Sequence, residues 1–186
     1  MKAQFYMDDL RLAVNAIKGF TGNDAAKPVH QYIKLSVNAA TEQARAYATN
    51  GFIAAVETVP CNSDEDFDFM LRADALERLK GAETVELAVE NGDMVVSSEF
   101  VTVRYHAPDP YEFFDIEKFF PKDDPTFRIG FNAQYLMRML KSCVDTKMNA
   151  ATVLEFRGPL MPIILKTKSG SERLLLPTRI KGDIND

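Results

Sequence analysis

The sequence predicts an α+β fold in which one strand–helix–strand–strand–strand (βαβββ) unit recurs three times with antiparallel sheets. Three observations predict it. Short runs alternate apolar and polar residues, the period of half-buried strands. Three other stretches carry apolar residues at helical spacing, and each follows directly on one of those runs. Turn residues then separate the remaining runs at hairpin distances.

The first unit opens with "KAQFYM" and passes into "DDLRLAVNAIKG". Leu10, Ala13, Val14 and Ile17 fall on one helix side, Asp8 or Asp9 is a candidate N-cap, and Gly19 or Gly22 stops the helix. Strands are expected in "HQYIKLSVNA", "QARAYATN" and "GFIAAVETVP", with a turn at Thr49–Gly51. The second unit runs "DFDFML" into "RADALERLKG", where Ala75, Leu76 and Leu79 make the apolar side and Gly81 the stop. Its strands are "TVELAVENGDMVVSS", folded at the hairpin signal "ENGD", and "EFVTVRYHA". The third unit runs "TFRIGF" into "NAQYLMRMLKSCV". Asn132 is a good N-cap, and Leu136, Met139, Leu140 and Cys143 form a stripe. "ATVLEFRG", "MPIILKTK" and "SERLLLPTRI" supply its strands. Each unit is about 50 to 60 residues long.

Residues 1–110 therefore read as a domain of two units and 126–186 as a third unit. Residues 111–125 join them as an extended linker within a stretch, Ala107–Pro125, that holds four prolines and many acids. Two roles are open for its aromatics Tyr111, Phe113, Phe114, Phe119 and Phe120: covering a sheet edge, or fastening the segment to a neighbouring surface.

The composition excludes several classes. With 186 residues and 46% apolar content the chain can build a core. It lacks an apolar run long enough to span a membrane and a signal-peptide apolar segment, so the cytoplasm is expected. Cys61 and Cys143 are distant and read as packing thiols; with His30 and His106 they give no metal-ligand spacing, so no cofactor or metal is expected. The acidic cluster Asp64, Glu65, Asp66 and Asp68 lacks the spacing of a metal loop. No glycine-rich phosphate loop and no nucleophile–base pair stands out, so an enzyme is not expected. The net charge of −5 argues against a nonspecific nucleic-acid coat, but says nothing of charge gathered on one face.

The repeat and its wording resemble the bacterial DNA polymerase III beta subunit, the sliding clamp. "MKAQFYMDDLRLAVNAIKGF" is similar to the opening of that family's first domain, and "FMLRADALERLKGAETVELAVENGDMVVSSEFVTVRYHAPDPYEFF" to that domain's second half. "RIGFNAQYLMRMLKS" and "LEFRGPLMPIILKTKSGSERLLLPTRI" resemble the end of the third domain. The most specific marks are Asn-x-x-Tyr opening a helix, Gly-Pro-Leu-x-Pro, and Leu-Pro-x-Arg-aliphatic. A clamp subunit has three domains of two units each; this chain reads as the first domain joined to the last half-domain.

The resemblance implies a DNA-clamp fold with antiparallel sheets outside and helices on an inner face. It implies a processivity factor that tethers a polymerase or repair protein to duplex DNA without reading sequence. Taking helices at 8–20, 72–80 and 132–147, eight basic residues stand against five acidic ones, leaving the rest of the chain with an excess of eight negative charges. The expected DNA-facing set is Arg11, Lys18, Arg72, Arg78, Lys80, Arg138 and Lys141, with Lys27 where the family places a basic loop residue. These side chains equally fit ordinary solvated helix faces. Family partners dock short peptides in an apolar groove. Asn132, Tyr135, Leu160 and Pro162 match its third-domain half, as do Leu174, Leu175, Leu176, Pro177, Thr178, Arg179 and Ile180. Pro177 would end the edge strand and Tyr135 would act as a gate. The plain reading of "LLLP" is a core strand stopped by a proline. A clamp loader is an implied partner, and a homo-oligomer, dimer or tetramer, would pair the odd units about a two-fold. The rival reading is a clamp-fold adaptor or decoy that binds clamp partners without encircling DNA.

Overall fold

A computed structural model describes residues 1–143, 152–166 and 170–179, and it divides into two compact units, Met1–Pro121 and Lys122–Asp186. The first unit holds β1 (Lys2–Tyr6), α1 (Met7–Ile17), β2 (Ile33–Asn38), β3 (Gln43–Thr49), β4 (Ala54–Pro60) and β5 (Asn62–Ser63). It continues with β6 (Phe67–Leu71), α2 (Ala73–Glu77), β7 (Thr84–Glu90), β8 (Asp93–Ser97) and β9 (Thr102–His106). All pairings are antiparallel, and the α+β class expected from the sequence is what the structure has.

The two βαβββ modules of this unit are interlocked. One sheet has the order β5-β1-β7-β8-β9, the other β4-β3-β2-β6. Each module therefore sends its leading strand into the other module's sheet: β1 lies on β7 and β6 lies on β2. Core-facing residues meet core-facing residues across these seams, Phe5 opposite Val85 and Phe69 opposite Leu35. A slip of one residue would turn every one of them outward, so the register is strongly specified.

One core serves both modules. Phe5, Phe69, Ile33, Leu35, Leu71 and Leu87 are fully buried in it, along with the inner sides of both helices. The buried row Ala44, Ala46 and Ala48 on β3 leaves room for α1, which packs across β3 and β4 with Leu10, Val14 and Ile17. The Asn91-Gly92 turn has both residues at positive φ, as a two-residue hairpin requires, and it is the "ENGD" signal of the sequence.

Several local expectations are corrected. Neither Asp8 nor Asp9 caps α1. The helix leaves β1 directly, with Tyr6 at the cap and the Met7 N–H donating to Glu83 O at 2.9 Å; Asp8 and Asp9 lie in the first turn, where they favour the helix dipole. The second helix is shorter than expected, Ala73–Glu77: past it the Arg78 and Leu79 N–H groups bond back to Ala75 O and Leu76 O in tighter turns, and Gly81 follows at positive φ. Residues 111–121, expected to be an extended linker, fold onto the first unit. Phe113 and Ile116 join its core, and Glu117 accepts a hydrogen bond from Tyr47 and pairs with Arg45, both at 2.9 Å. Phe113, Phe114, Asp115 and Ile116 enclose about 220 Å³ with Lys34, Ser36 and Tyr47, so the segment lies over the outward face of the β2–β3 sheet. Tyr111 and Phe119 remain exposed.

The second unit holds α3 (Ala133–Lys141), β10 (Val153–Glu155), β11 (Ile163–Lys166) and β12 (Glu172–Leu175), with sheet order β10-β11-β12. Asn132 caps α3 as expected, its side chain accepting from the N–H groups of Gln134 and Tyr135. The stripe also holds, with Met139 buried and Leu136, Leu140 and Cys143 packed around it. The end of the expected helix beyond Cys143, with Asp145 and Lys147, lies outside the described residues. "TFRIGF" was expected to be a strand and makes one isolated bridge, Gly130 with Thr178. A strand needs a sheet edge to pair with. In the first unit that edge belongs to the sister module, which the third module lacks in this chain.

Two half-buried tyrosines give a testable consequence. The Tyr105 hydroxyl donates to Met70 O and accepts from the Arg72 N–H, both at 3.0 Å. Burial raises its pKa well above the ordinary value. Tyr47 is pushed up to about 12, first by burial and then by its hydrogen bond to Glu117. Both favour the neutral phenol in the folded state. Their contribution is therefore complete below the unfolded-chain pKa of about 10 and is lost as pH rises above it. Urea unfolding between pH 8 and 11 should show stability falling in the upper part of that range. Tyr47→Phe should flatten the fall, and an unchanged slope would contradict the assignment.

Candidate nucleic-acid and peptide interfaces

The basic residues expected to face DNA fall into two classes. Arg11 and Arg72 are tied into the protein. Arg11 donates from one guanidinium nitrogen to Leu76 O at 3.3 Å and Leu79 O at 3.0 Å. Leu76 O also accepts from the Leu79 N–H, and Leu79 lies just past α2, so Arg11 adds a side-chain tie from α1 to the end of α2. Arg72 is the backbone N-cap of α2. Its guanidinium grips Asp74 through two hydrogen bonds of 3.0 and 2.7 Å and lies 5.7 Å from the centre of the Tyr105 ring. The hydrogen bond and charge of Asp74 push the Arg72 pKa up. This charge is already paired with Asp74.

The second class is exposed. Lys18 lies in a 3₁₀ turn after α1, Lys27 precedes the 3₁₀ turn Pro28–Gln31, Arg78 is the C-cap of α2, and Lys80 follows it. Arg11, Asn15 and Lys18 of the first helical segment share a cleft of about 80 Å³ with Ala73, Leu76 and Glu77 of α2, so these residues are brought together. In the second unit Arg138 and Lys141 are exposed in the last turn of α3, where cations suit the helix dipole. Positive charge thus gathers at helix ends rather than along helix faces. Sequence spacing shows which residues share a face, but not which are already bound.

On β12 and beyond, period-two alternation divides the expected apolar groove. Leu174 is 62% exposed, Leu175 9% and Leu176 64%. Leu175 is corrected from groove wall to core: it packs with Met139, Ile163 and Leu165, because consecutive side chains of a strand point to opposite faces. Leu174 and Leu176 share the outward face. Leu160, beside Met161 in the turn before β11, and Tyr135, in the first turn of α3, are likewise exposed; Pro162 and Pro177 are half-buried. Asn132 spends both contacts of its carbonyl on the helix start, so its present role is to cap. Thr178 donates its N–H to Gly130 O at 2.8 Å, which folds the segment after Pro177 against the lead-in to α3. Arg179 is exposed at the end of this strip, and Ile180 lies outside the described residues.

The acidic cluster is dispersed among structural contacts. Glu65 pairs with the terminal amine, Asp66 accepts from the Ala39 N–H, and Asp68 binds Ser36 and Lys34. Among the described residues no group of His, Cys, Asp and Glu is arranged to hold a metal ion. Cys61 and Cys143 are both free thiols, and burial raises the pKa of Cys61. No described helix is long and apolar enough to cross a membrane.

Comparison with solved structures places this architecture among bacterial beta clamps. The Bacillus subtilis DNA polymerase sliding clamp matches with a TM-score of 0.77 at 14% identity, over 98% of this chain and 50% of that chain. The Pseudomonas aeruginosa DNA polymerase III subunit beta matches with a TM-score of 0.76 at 14% identity, over 98% and 52%. The Helicobacter pylori beta clamp bound to a DNA ligase peptide matches with a TM-score of 0.69 at 18% identity, over 95% and 51%. No family model and no curated protein matches the sequence. The chain has the bacterial beta-clamp fold in shortened form and spans about half the length of the clamp chains it matches.

The alternation on β12 sets two substitutions against each other. Leu175→Ala should destabilise the second unit by about 2–4 kcal/mol, the cost of truncating a buried leucine. Leu174→Ala should change stability by less than about 0.5 kcal/mol, as for a surface site. Thermal unfolding of the full chain measures both, and equal losses would contradict the assigned faces.

Proposed function

We propose that the chain is a sliding clamp-like processivity factor that tethers a polymerase or repair protein to duplex DNA. The observation that carries this reading is the beta-clamp fold over nearly the whole chain. The exposed lysines and arginines at helix ends support a sequence-independent, salt-sensitive attraction to phosphates, which suits a protein that must slide. In this reading Lys18, Lys27, Arg78, Lys80, Arg138 and Lys141 face DNA, helices line the inner surface and sheets form the outside. Arg11 and Arg72 position that surface. Met1–Pro121 and Lys122–Asp186 act as separate functional parts.

The exposed strip of Tyr135, Leu160, Leu174, Leu176 and Arg179 is the proposed dock for a short linear peptide, with apolar anchors and a basic rim. The peptide-bound Helicobacter pylori clamp supports this choice of partner class. The action is binding rather than catalysis, in the cytoplasm, and encirclement needs more than one copy of the chain, with a loader as an additional partner. A second reading, a clamp-fold adaptor or decoy that never encircles DNA, is favoured by the half-length match and by the net charge of −5.

Retention on circular DNA separates the two. The protein, incubated with nicked plasmid and passed through a sizing column, should co-elute with the circle and be lost once the plasmid is cut. Lys18→Glu with Lys80→Glu should reduce retention by roughly tenfold at low salt. Leu174→Asp with Leu176→Asp should leave retention intact and weaken capture of a clamp-binding peptide by at least about tenfold. Equal retention on linear and circular DNA would assign the adaptor reading.

A further inference from the structure

The first unit shows what completes a module of this type, and the third module has only part of it. β1 has two neighbours. On one side stand Asn62 and Ser63, from the end of its own module, with Asn62 opposite Gln4; on the other stands β7 of the sister module. Gln4 lies two residues before the helix cap Tyr6. In the third module Gly130 lies two residues before the helix cap Asn132, and it is bridged by Thr178, again from the end of its own module. The own-module side is therefore built. On the sister side the lead-in segment has no strand partner among the described residues, and β10 is left at the edge of its sheet.

The register of a missing partner can be counted. In the first unit the third residue before each helix cap pairs with the middle leucine of an alternating pentapeptide: Ala3 with Leu87 of "VELAV", and Phe69 with Leu35 of "IKLSV". The third module carries the corresponding parts, Ile129 and the pentapeptide "TVLEF", Thr152–Phe156, centred on Leu154. Ile129 opposite Leu154 sets Phe127 opposite Phe156 and Gly130 opposite Val153. Phe127, Val153 and Phe156 are now 43%, 56% and 46% exposed. The Thr178 N–H is bonded to Gly130 O, so alternation along an extended chain turns the amides of Ile129 and Phe131 to the open side.

From this geometry we propose that Phe127–Phe131 and the outer edge of β10 form a self-complementary docking surface, and that its occupant is a second copy of this chain. Each copy lays its lead-in strand on the other's β10 about a two-fold axis, reproducing between chains the exchange seen within the first unit. The occupant is a second copy because one module carries both the donor strand and the matching acceptor edge. The module also gains from it: among its described residues the buried core is Met139, Ile163, Leu165 and Leu175, a small core for a unit of this size. Pairing gives Ile129, Phe131 and Leu154, now only partly buried, a second wall. The inference rests on the module repeat and not on the DNA-tethering role.

Two variants of the full chain, each with one added cysteine and with Cys61 and Cys143 changed to Ala, test it. Gly130→Cys and Val153→Cys face each other as a close, non-hydrogen-bonded pair, with Cα atoms about 4.5 Å apart, within disulfide reach. Mixed and mildly oxidised, they should give a covalent dimer that neither variant gives alone. Phe127→Asp, at an exposed position, should weaken dimerisation by at least about tenfold in sedimentation equilibrium with little change to the first unit. A wild-type chain that stays monomeric at micromolar concentration, or a mixture that fails to cross-link while both variants remain folded, overturns the proposal. A dimer that is not retained on closed circular DNA leaves this interface standing and overturns the tethering function; retention by a monomer does the reverse.

Discussion

Lys2–Tyr6 lies on Thr84–Glu90, and Phe67–Leu71 lies on Ile33–Asn38, so each module of the first unit is closed by a strand from the other. The other features of the unit follow from this exchange. Both helices leave directly from an exchanged strand, α1 at Met7 and α2 at Ala73, so the sheet partner of the strand also fixes where the helix starts. Interior residues of both modules then fall into one core rather than two. Closing the exchange brings together segments far apart in sequence, so its entropy cost falls on the whole unit and must be recovered by that shared core.

The same constraint sorts the candidate functional residues. The two helices that leave the exchanged strands lie side by side, and Arg11 of α1 donates to Leu76 O and Leu79 O at the end of α2. Basic residues near the module centre therefore become internal ties, and those beyond the helix ends keep their charge for solvent or a polyanion. In the second unit the alternation of β12 separates Leu175, which fills the core, from Leu174 and Leu176, which face outward next to the turn made by Pro177 and Thr178. The apolar strip that ends in a proline is thus half interior and half surface. A proline at its end stops further strand pairing, since it has no N–H to donate.

Much of this was legible in the sequence because it depends on local period and turn chemistry. Asn91-Gly92 marked its hairpin, Asn132 its helix cap, and alternation marked most of the strands. The tie from Arg11 to the end of α2 was not legible, since it joins residues 65 apart in sequence. Nor was the docking of Phe113 and Ile116, because a segment rich in proline and acid reads as a tether unless the face waiting for it is known. The stretch "TFRIGF" has the apolar alternation of a strand and yet makes only an isolated bridge among the described residues, because alternation does not say whether an edge is present to pair with. In the candidate sites, residue type and spacing identified the exposed lysines and leucines. They could not identify which arginines were already committed.

Amide hydrogen exchange on the full chain tests the interlocked pairing most directly. If the leading strands are exchanged, neither module of the first unit can open alone, and the amides of β1, β2, β6 and β7 should exchange through a single opening with one common free energy. Exchange of Lys2–Pro60 through an opening distinct from that of Phe67–His106 would mean two separately folded modules, and would contradict the pairing from which the shared core and the placing of the first unit's basic residues were derived.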